Sequence, residues 1–310
     1  MSTPELSIVS PVYRGEKLTD ELVRRIISAV EPLALNFEIV LVEDGSTEAS
    51  WNKIAENCVR DKRVKGIRLS RNFGQHQAIT AGLAHVKGTW VVVMDCDLQD
   101  QPEEIPALYA RALQGFDIVQ GKREERQDGF FKRSFSKTFY RVLGYLTDTR
   151  QDSSIANFGI YHQKVIRAIL SMGDPIRYFP AMVRWVGFRQ TSIPVAHAPR
   201  IAGSTSYSFR KLLRLGLDVI LSFSEKPLRL TVKLGLTISF LSLLMAVYFL
   251  VRYLEGKILI SGWASLIVSI WFLAGIIIFL IGTVGLYIGK TFESSKNRPV
   301  FIIDESINLP

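Results

Sequence analysis

Two long runs without a charged residue lie near the C-terminal end of the chain, from Leu234 to Val251 and from Ile258 to Gly289. About 20 apolar residues cross the hydrocarbon core of a bilayer, so the runs predict two membrane-spanning helices, near residues 230–252 and 265–288. The alternative, a pair of buried core helices, is disfavoured by the length of both runs. The high mean hydropathy of the chain, +0.18, comes mainly from this part. The chain is therefore expected to have a soluble part followed by a membrane part.

Basic side chains flank the two runs more densely than they occupy the connection between them. The flanking residues are Arg210, Lys211, Arg214, Lys226, Arg229, Lys233, Lys290, Lys296 and Arg298. The positive-inside rule then predicts that both termini and the soluble part are cytoplasmic. The predicted divisions are a soluble domain at 1–205, an interfacial amphipathic helix or linker at 206–227, a two-helix hairpin at 228–290 and a cytoplasmic tail at 291–310.

The soluble part alternates between short apolar runs and amphipathic helical segments. Strands are predicted at 6–13, 37–42, 64–69 and 90–94, and helices at 18–35, 47–58 and 75–85. This βαβαβαβ order predicts an α/β fold, with a Rossmann-like, mostly parallel sheet covered by helices on both faces. Later strands are expected at 116–121, 158–161 and 189–195, and a helix at 164–172. Ligands of such sheets bind at the carboxyl ends of the strands.

The fourth predicted strand stops at two carboxylates separated by one residue, Asp95 and Asp97. At the carboxyl edge of a parallel sheet, both would face one small volume. Mg²⁺ and Mn²⁺ prefer such hard oxygen ligands, so the pair indicates a metal that carries a substrate diphosphate. A polar turn after a core strand is the alternative, because the D-x-D spacing is short.

A second acid pair, Glu43 and Asp44, follows the second predicted strand and precedes Gly45 and Ser46. Asp44 and Asp95 would end separate strands at the same edge, where acidic side chains are expected to meet around a single divalent ion. Asp44 would also accept hydrogen bonds from a nucleotide base or ribose. This convergence favours a metal–nucleotide site over two unrelated polar turns.

The segment from Lys122 to Arg141 holds seven Lys or Arg residues against three acids. Aromatic side chains recur within it at helical spacing, which is typical of an amphipathic helix at a membrane surface. A basic helix packed on the sheet, with its charges in solvent, is the alternative. Because the basic residues cluster near apolar segments, the net charge of +9 indicates an anionic lipid surface rather than a nucleic acid.

Two further segments have simple alternatives. The hydroxyl- and glycine-rich loop Pro199 to Tyr207 suits phosphate binding, but a flexible connector has the same composition. Asp152, taken alone, is typical of a turn or a helix N-cap. The two cysteines, Cys58 and Cys96, imply neither a disulfide framework nor a zinc site. The first residues lack the basic and apolar regions of a cleavable signal peptide, so none is expected.

Several short motifs occur in a fixed order along the chain: Ser10-Pro11-Val12-Tyr13, Val42-Glu43-Asp44-Gly45-Ser46, Arg71-Asn72-Phe73-Gly74-Gln75, Met94-Asp95-Cys96-Asp97-Leu98-Gln99-Asp100 with Pro102, and Arg200-x-x-Gly203-x-x-Ser206-Tyr207, followed by the two apolar runs. With these motifs the chain resembles the membrane-bound family-2 glycosyltransferases of the polyprenyl-phosphate type, and is similar to bactoprenol glucosyltransferases and dolichyl-phosphate mannose synthases. The resemblance covers most of the chain.

The resemblance implies a GT-A fold and an inverting transfer of one sugar, with glucose from UDP-glucose as the first expectation. The acceptor would be polyprenyl (undecaprenyl) phosphate at the cytoplasmic face of the bacterial inner membrane, with Mg²⁺ or Mn²⁺ as cofactor. Asp97 and Asp152 would be catalytic, and Asp95 and Asp97 would bind the metal. The nucleotide-sugar would contact Pro11, Tyr13, Glu16, Asp44, Gln75, Asp95, Cys96 and Gln99. The acceptor phosphate would contact Arg123, Arg133, Ser136, Arg200 and Ser206.

Three positions depart from the family pattern. Glu43 stands where aspartate is common, Cys96 replaces a small residue, and Arg14-Gly15 replaces Asn-Glu, which weakens the assignment of Glu16.

Two other functions stay open. A processive polysaccharide synthase carries Gln-x-x-Arg-Trp; here Arg184 and Trp185 are present, but Ala181 takes the place of the glutamine. A non-catalytic nucleotide-binding membrane scaffold is the second alternative. The apolar segment 299–303 is strand-like and could pair with a neighbouring subunit, which would make the protein a homo-oligomer.

Overall fold

The computed structural model describes residues 4–123, 155–174, 177–196, 198, 224, 226–255 and 262–309. Within these residues an eight-stranded sheet is covered by helices on both faces, and two long apolar helices follow. The strands are β1 (Leu6–Val12), β2 (Phe37–Glu43), β3 (Val64–Leu69), β4 (Trp90–Val93), β5 (Ile118–Arg123), β6 (Ile155–His162), β7 (Gln190–Val195) and β8 (Ile303–Ile307). The soluble helices are α1 (Thr19–Val30), α2 (Glu48–Arg60), α3 (Gln75–His85), α4 (Ile105–Ala112), α5 (Gln163–Ser171) and α6 (Phe179–Trp185).

The sheet has the order β7-β5-β6-β4-β1-β2-β3-β8. Strands β1 to β4 are mutually parallel, and β7 is parallel to β5, whereas β6 and β8 run antiparallel to their neighbours. The prediction of a mostly parallel sheet is therefore confirmed. Because β1 to β5 and β7 all point the same way, their ends form one border of the sheet, which we call the carboxyl edge.

Close packing of helix α3 on the sheet fixes where that helix begins. Strands β1 and β2 are buried along their whole length, which explains their mostly apolar sequence. Gly82 of α3 lies directly over β1, and a Cβ at this position would be 2.4 Å from Val9 Cγ1. Only glycine permits this approach, and it brings the first residue of α3, Gln75, to the carboxyl edge.

The C-terminal residues complete the sheet within the same chain. Strand β8 pairs antiparallel with β3, with Ile303 opposite Leu69 and Ile307 opposite Gly66. Ile303, the last residue of the strand-like segment 299–303, therefore pairs within the chain, and the strand begins later than predicted. The physical reason is that β3 would otherwise be an open edge, and the chain's own tail lies close enough to cover it.

Two helices follow the soluble elements, α7 (Lys226–Leu254) and α8 (Trp263–Ser295). Their segments Lys226–Met245 and Ser269–Ser295 are long and apolar enough to cross a membrane. Large apolar side chains on both helices point outward, as in Trp271, which is 77% exposed. The two candidate membrane helices lie where the sequence predicts them.

Both connections between the sheet and this helix pair meet the sheet at the carboxyl edge. Strand β7, which leads toward α7, ends at Val195 opposite the last residue of β5. After α8, residues 296–302 lead into β8, and the Ser70 amide donates to the Ile302 carbonyl at 3.0 Å. Seven residues span at most about 25 Å, so the carboxyl edge lies near the end of α8.

The tail strand is followed by partly buried hydrogen bonds of Asn308 that can be tested. The Asn308 side-chain amide donates to the carbonyls of Cys58 and Val64, at 2.7 and 2.8 Å. Asn308→Leu should lower the free energy of unfolding by about 1–3 kcal/mol, because both carbonyls lose their donor. Thermal unfolding of the protein in detergent measures this change.

The control for this experiment is Lys62→Ala, because Lys62 meets the same asparagine only through an exposed contact of 3.4 Å. Its effect should stay within about 0.5 kcal/mol. Equal unfolding midpoints for Asn308→Leu and the wild type would contradict the role of the tail.

Candidate active site

The carboxylate of Asp44, one residue after β2, holds the loop that precedes α3. Its Oδ1 accepts the Phe73 amide at 2.8 Å and its Oδ2 accepts the Gly74 amide at 3.0 Å. Burial raises the pKa of Asp44 to about 6, so the carboxyl is largely ionised at neutral pH. A carboxylate has about four acceptor positions, so Asp44 can hold this loop and still accept a bond from a ligand.

Glu43 anchors the turn that follows β2. Its two carboxylate oxygens accept the amides of Gly45 and Ser46, at 2.9 and 2.7 Å, and also the Ser46 hydroxyl. Gly45 has a φ of +57°, and a Cβ there would lie 2.2 Å from the carbonyl carbon of Arg71. The sequence did not predict this role of Glu43, although the glycine signalled a tight turn.

The departure at Arg14-Gly15 leaves Glu16 at the same edge. The Gly15 amide donates to the Ser50 hydroxyl at 2.9 Å, and that hydroxyl donates to Glu16 Oε2 at 3.0 Å. A backbone hydrogen bond and then this hydroxyl lower the pKa of Glu16. Glu16 is therefore a fixed, ionised group beside the start of α2. Nearby, Pro11 is buried in β1 and Tyr13 is 43% exposed just beyond it.

The D-x-D loop keeps its two carboxylates at the end of β4. Asp95 and Asp97 are both partly buried. Between Asp97 and Gln99, Leu98 is fully buried and adopts a φ of +58°. This left-handed conformation costs roughly 1–2 kcal/mol, which burial of the side chain offsets. The Gln99 amide donates to Asp97 Oδ1 at 3.2 Å and holds the turn.

Cys96 joins this loop to the end of β1. Its sulfur accepts a hydrogen bond from the Tyr13 backbone amide, and burial raises the pKa of the thiol to about 12. The thiol is therefore protonated at neutral pH and is a poor metal ligand. Cys96 instead fixes Tyr13 relative to the two aspartates.

Gln75 links the Asp44 loop to the D-x-D loop. Its side-chain amide donates to Asp95 Oδ1 at 2.6 Å, one residue after the Gly74 amide that binds Asp44. Gln75 was assigned to the nucleotide-sugar, and in this structure its amide binds a carboxylate of the protein. The Asp44 loop, Gln75 and Asp95 form one continuous hydrogen-bonded path along the carboxyl edge.

The described part of the chain has no group of three or more His, Cys, Asp or Glu side chains arranged to hold a metal ion. The expectation that Asp44 meets Asp95 and Asp97 around one ion is therefore wrong, because the loop amides bind Asp44 instead. Two partly buried carboxylates are still a suitable donor set for Mg²⁺ or Mn²⁺. Such ions are commonly held by one or two carboxylates, with substrate phosphates and water completing the coordination.

Four of the five predicted acceptor residues lie outside the described residues: Arg133, Ser136, Arg200 and Ser206. The predicted catalytic Asp152 lies outside them as well. Arg123 ends β5 at the carboxyl edge, and only its backbone is described. These residues lie in two segments, one between β5 and β6 and one after β7, and the structure describes the strands from which both segments start. Segment 124–154 lies between β5 and β6, where Lys122 pairs with Ile155. After β7, the Ala198 amide donates to the Gln99 carbonyl of the D-x-D loop at 2.9 Å.

The sequence matches a known family over half its length and individual proteins over almost all of it. The family model described as "Glycosyl transferase family 2" matches residues 7–171. An uncharacterized glycosyltransferase of Synechocystis is 34% identical over 304 residues, which cover 98% of this chain and 96% of that protein. The undecaprenyl-phosphate 4-deoxy-4-formamido-L-arabinose transferase of Salmonella choleraesuis is 33% identical over 313 residues, which cover 98% and 94%.

Solved structures share the fold at low sequence identity. Glucosyl-3-phosphoglycerate synthase of Mycobacterium tuberculosis, in complex with Mn²⁺, UDP and phosphoglyceric acid, superposes with a TM-score of 0.51 at 16% identity, covering 71% of this chain and 77% of that one. A mannosyltransferase of Pyrobaculum calidifontis, in complex with GDP-Man and Mn²⁺, superposes with a TM-score of 0.50 at 15% identity, covering 74% of this chain and 65% of that one. The predicted GT-A-like fold is thus confirmed. On the family match and the full-length relatives, this chain belongs to glycosyl transferase family 2 and is a glycosyltransferase.

Proposed function

We propose that the enzyme transfers one sugar, with inversion, from a nucleotide-sugar to undecaprenyl phosphate at the cytoplasmic face of the bacterial inner membrane. The observation that carries this proposal is the position of the carboxyl edge. The strand ends that bear Asp95 and Asp97 lie at the same edge as both connections to the candidate membrane helices. Relatives that match the whole chain are named as undecaprenyl-phosphate transferases, which supports the lipid acceptor.

A lipid acceptor fits this arrangement because only its phosphate has to leave the bilayer. The polyprenyl chain stays in the hydrocarbon core, beside α7 and α8. The segments with Arg123, Arg133, Ser136, Arg200 and Ser206 start at the carboxyl edge and supply cationic and hydroxyl groups for a phosphate. We therefore assign these residues to the acceptor head group.

The proposed chemistry is a single displacement. An oxygen of the acceptor phosphate forms a bond to the anomeric carbon, and the bond from that carbon to the nucleoside diphosphate breaks, with its electron pair leaving on the diphosphate. The second pKa of a phosphate monoester is about 6, so the acceptor is mostly a dianion at neutral pH and needs no strong general base. In this scheme Asp152 orients the acceptor or the sugar and does not remove a proton.

Each side of the donor has its own protein groups. Asp44, with Pro11, Tyr13 and Glu16, borders the proposed nucleotide position, and Asp44 also fixes the loop beside it. Asp95 and Asp97, next to Cys96 and Gln99, would hold Mg²⁺ or Mn²⁺; solved structures of the same fold contain Mn²⁺ with a nucleotide. When bound, such an ion neutralises charge on the leaving diphosphate.

No single residue identifies the sugar, so two nucleotide-sugars are the leading candidates for the donor. Glucose from UDP-glucose is the expectation from the sequence, whereas the named relatives act with a 4-deoxy-4-formamido-L-arabinose group. We propose the nucleotide-linked forms of these two sugars as donors to be tested, with nucleotide-linked mannose and galactose as comparisons.

A transfer assay tests the overall proposal. Membranes containing the enzyme are incubated with each radiolabelled nucleotide-sugar and undecaprenyl phosphate. We expect one donor to give a single labelled lipid, which mild acid cleaves to the free sugar. A growing polymer would indicate a processive synthase, and no product with any donor would favour a non-catalytic scaffold.

Loss of the metal ligand is the second test. Asp97→Ala should lower kcat at least about 100-fold, because charge on the leaving diphosphate is then unbalanced. EDTA should abolish wild-type activity, and Mn²⁺ or Mg²⁺ should restore it. Glu56→Ala, on the exposed side of α2, is the control and should retain normal activity. Near-normal turnover of Asp97→Ala would refute the metal assignment.

The acceptor assignment predicts a selective kinetic change. Arg133→Glu should raise KM for undecaprenyl phosphate about tenfold or more and leave KM for the donor nearly unchanged, since it places an anion beside the acceptor phosphate. Arg24→Glu, at an exposed position of α1, is the matched charge reversal. A change confined to KM for the nucleotide-sugar would show that Arg133 serves the donor instead.

A further inference from the structure

We propose that Gln75 is a positioning residue that sets the metal affinity of Asp95 without touching the metal. This inference rests on the proposed function, because it assumes that Asp95 and Asp97 bind a divalent ion. It adds a residue outside the ligand set, on a different element of the fold, to the determinants of metal binding.

The hydrogen bond from Gln75 to Asp95 is the contact through which Gln75 would act on metal binding. Gln75 Nε2 lies 2.6 Å from Asp95 Oδ1, a short distance typical of a bond to a charged acceptor. A carboxylate only accepts hydrogen bonds, so the amide must present its NH₂ group to Asp95. The bond directs Oδ1 of Asp95 toward Gln75.

The backbone that carries Gln75 is held on its N-terminal side. The amides of Phe73 and Gly74, the two preceding residues, both donate to the buried carboxylate of Asp44. Gln75 is therefore attached directly to a backbone segment that the end of β2 fixes. Movement of the backbone at Gln75 would break or strain these bonds.

The following residue holds the other side. The ring of His76 packs edge-on against Tyr178, with 4.9 Å between ring centroids, and burial lowers the pKa of His76 to about 4, so the ring is neutral. Together with the close approach of Gly82 to β1, this contact fixes the first turn of α3. The Gln75 amide is thus preorganised toward Asp95 before any ion binds.

Such partners have a measurable effect on metal sites. Hydrogen bonds to ligating side chains orient them, and their removal typically weakens metal binding 10–100-fold. We expect Gln75→Met, which keeps the length of the side chain and removes the donor, to raise the Kd for Mn²⁺ about tenfold or more. Gln75→Asn, whose amide is one methylene too short, should also weaken binding.

The experiment measures Mn²⁺ binding directly. Full-length protein in detergent is titrated with Mn²⁺, alone and with UDP, and free Mn²⁺ is followed by electron paramagnetic resonance. Gln77→Met is the matched control: two residues along a helix turn the side chain by roughly 200°, away from Asp95. Asp97→Ala is the reference for loss of a ligand, and thermal unfolding checks that each variant is folded.

The outcomes separate this inference from the proposed function. Weaker Mn²⁺ binding by both Gln75 variants, with normal binding by Gln77→Met, supports it. Normal binding by the Gln75 variants together with loss in Asp97→Ala overturns the inference and leaves the metal site in place. Equal weakening in Gln77→Met also overturns it, since the helix as a whole would then be responsible. Normal binding by Asp97→Ala overturns the metal site itself.

Discussion

The site depends on the hydrogen bonds that the carboxylate of Asp44 accepts from two backbone amides. Phe73 and Gly74 donate to this one buried side chain, and Gln75 beside them reaches Asp95 at 2.6 Å. The nucleotide side and the metal side of the proposed donor site are thus parts of one hydrogen-bonded structure. The loop before α3 and the first residue of that helix thus tie the two acids to each other.

The topology of the chain fits the proposed transfer to a membrane lipid. Parallel strands collect their carboxyl ends at one edge, and the chain both leaves for the apolar helices and returns from them there. The tail strand β8 adds a second attachment to the sheet. The carboxyl edge is thus tied at two points near the end of α8, where the head group of the proposed lipid acceptor would lie.

The three departures from the family pattern each have a local explanation. Glu43 reaches the amides of Gly45 and Ser46, Cys96 accepts the Tyr13 amide, and Gly15 meets the Ser50 hydroxyl that also holds Glu16. The first contact holds the turn after β2, and the other two each tie a loop of the carboxyl edge to a neighbouring segment. The family resemblance marked these positions only as departures, and only the third weakened an assignment, that of Glu16, because a motif does not show what a changed side chain touches.

The sequence by itself determined the alternation of strands and helices, the parallel sheet and the two apolar helices, since periodicity and uncharged length are local properties. It also placed Asp44, Asp95 and Asp97 at strand ends. Only the tertiary structure decided that Asp44 binds loop amides, that Gln75 binds Asp95 and that the tail pairs with β3. These contacts join residues distant in the chain, and a side chain with several possible partners takes the one that packing brings within reach.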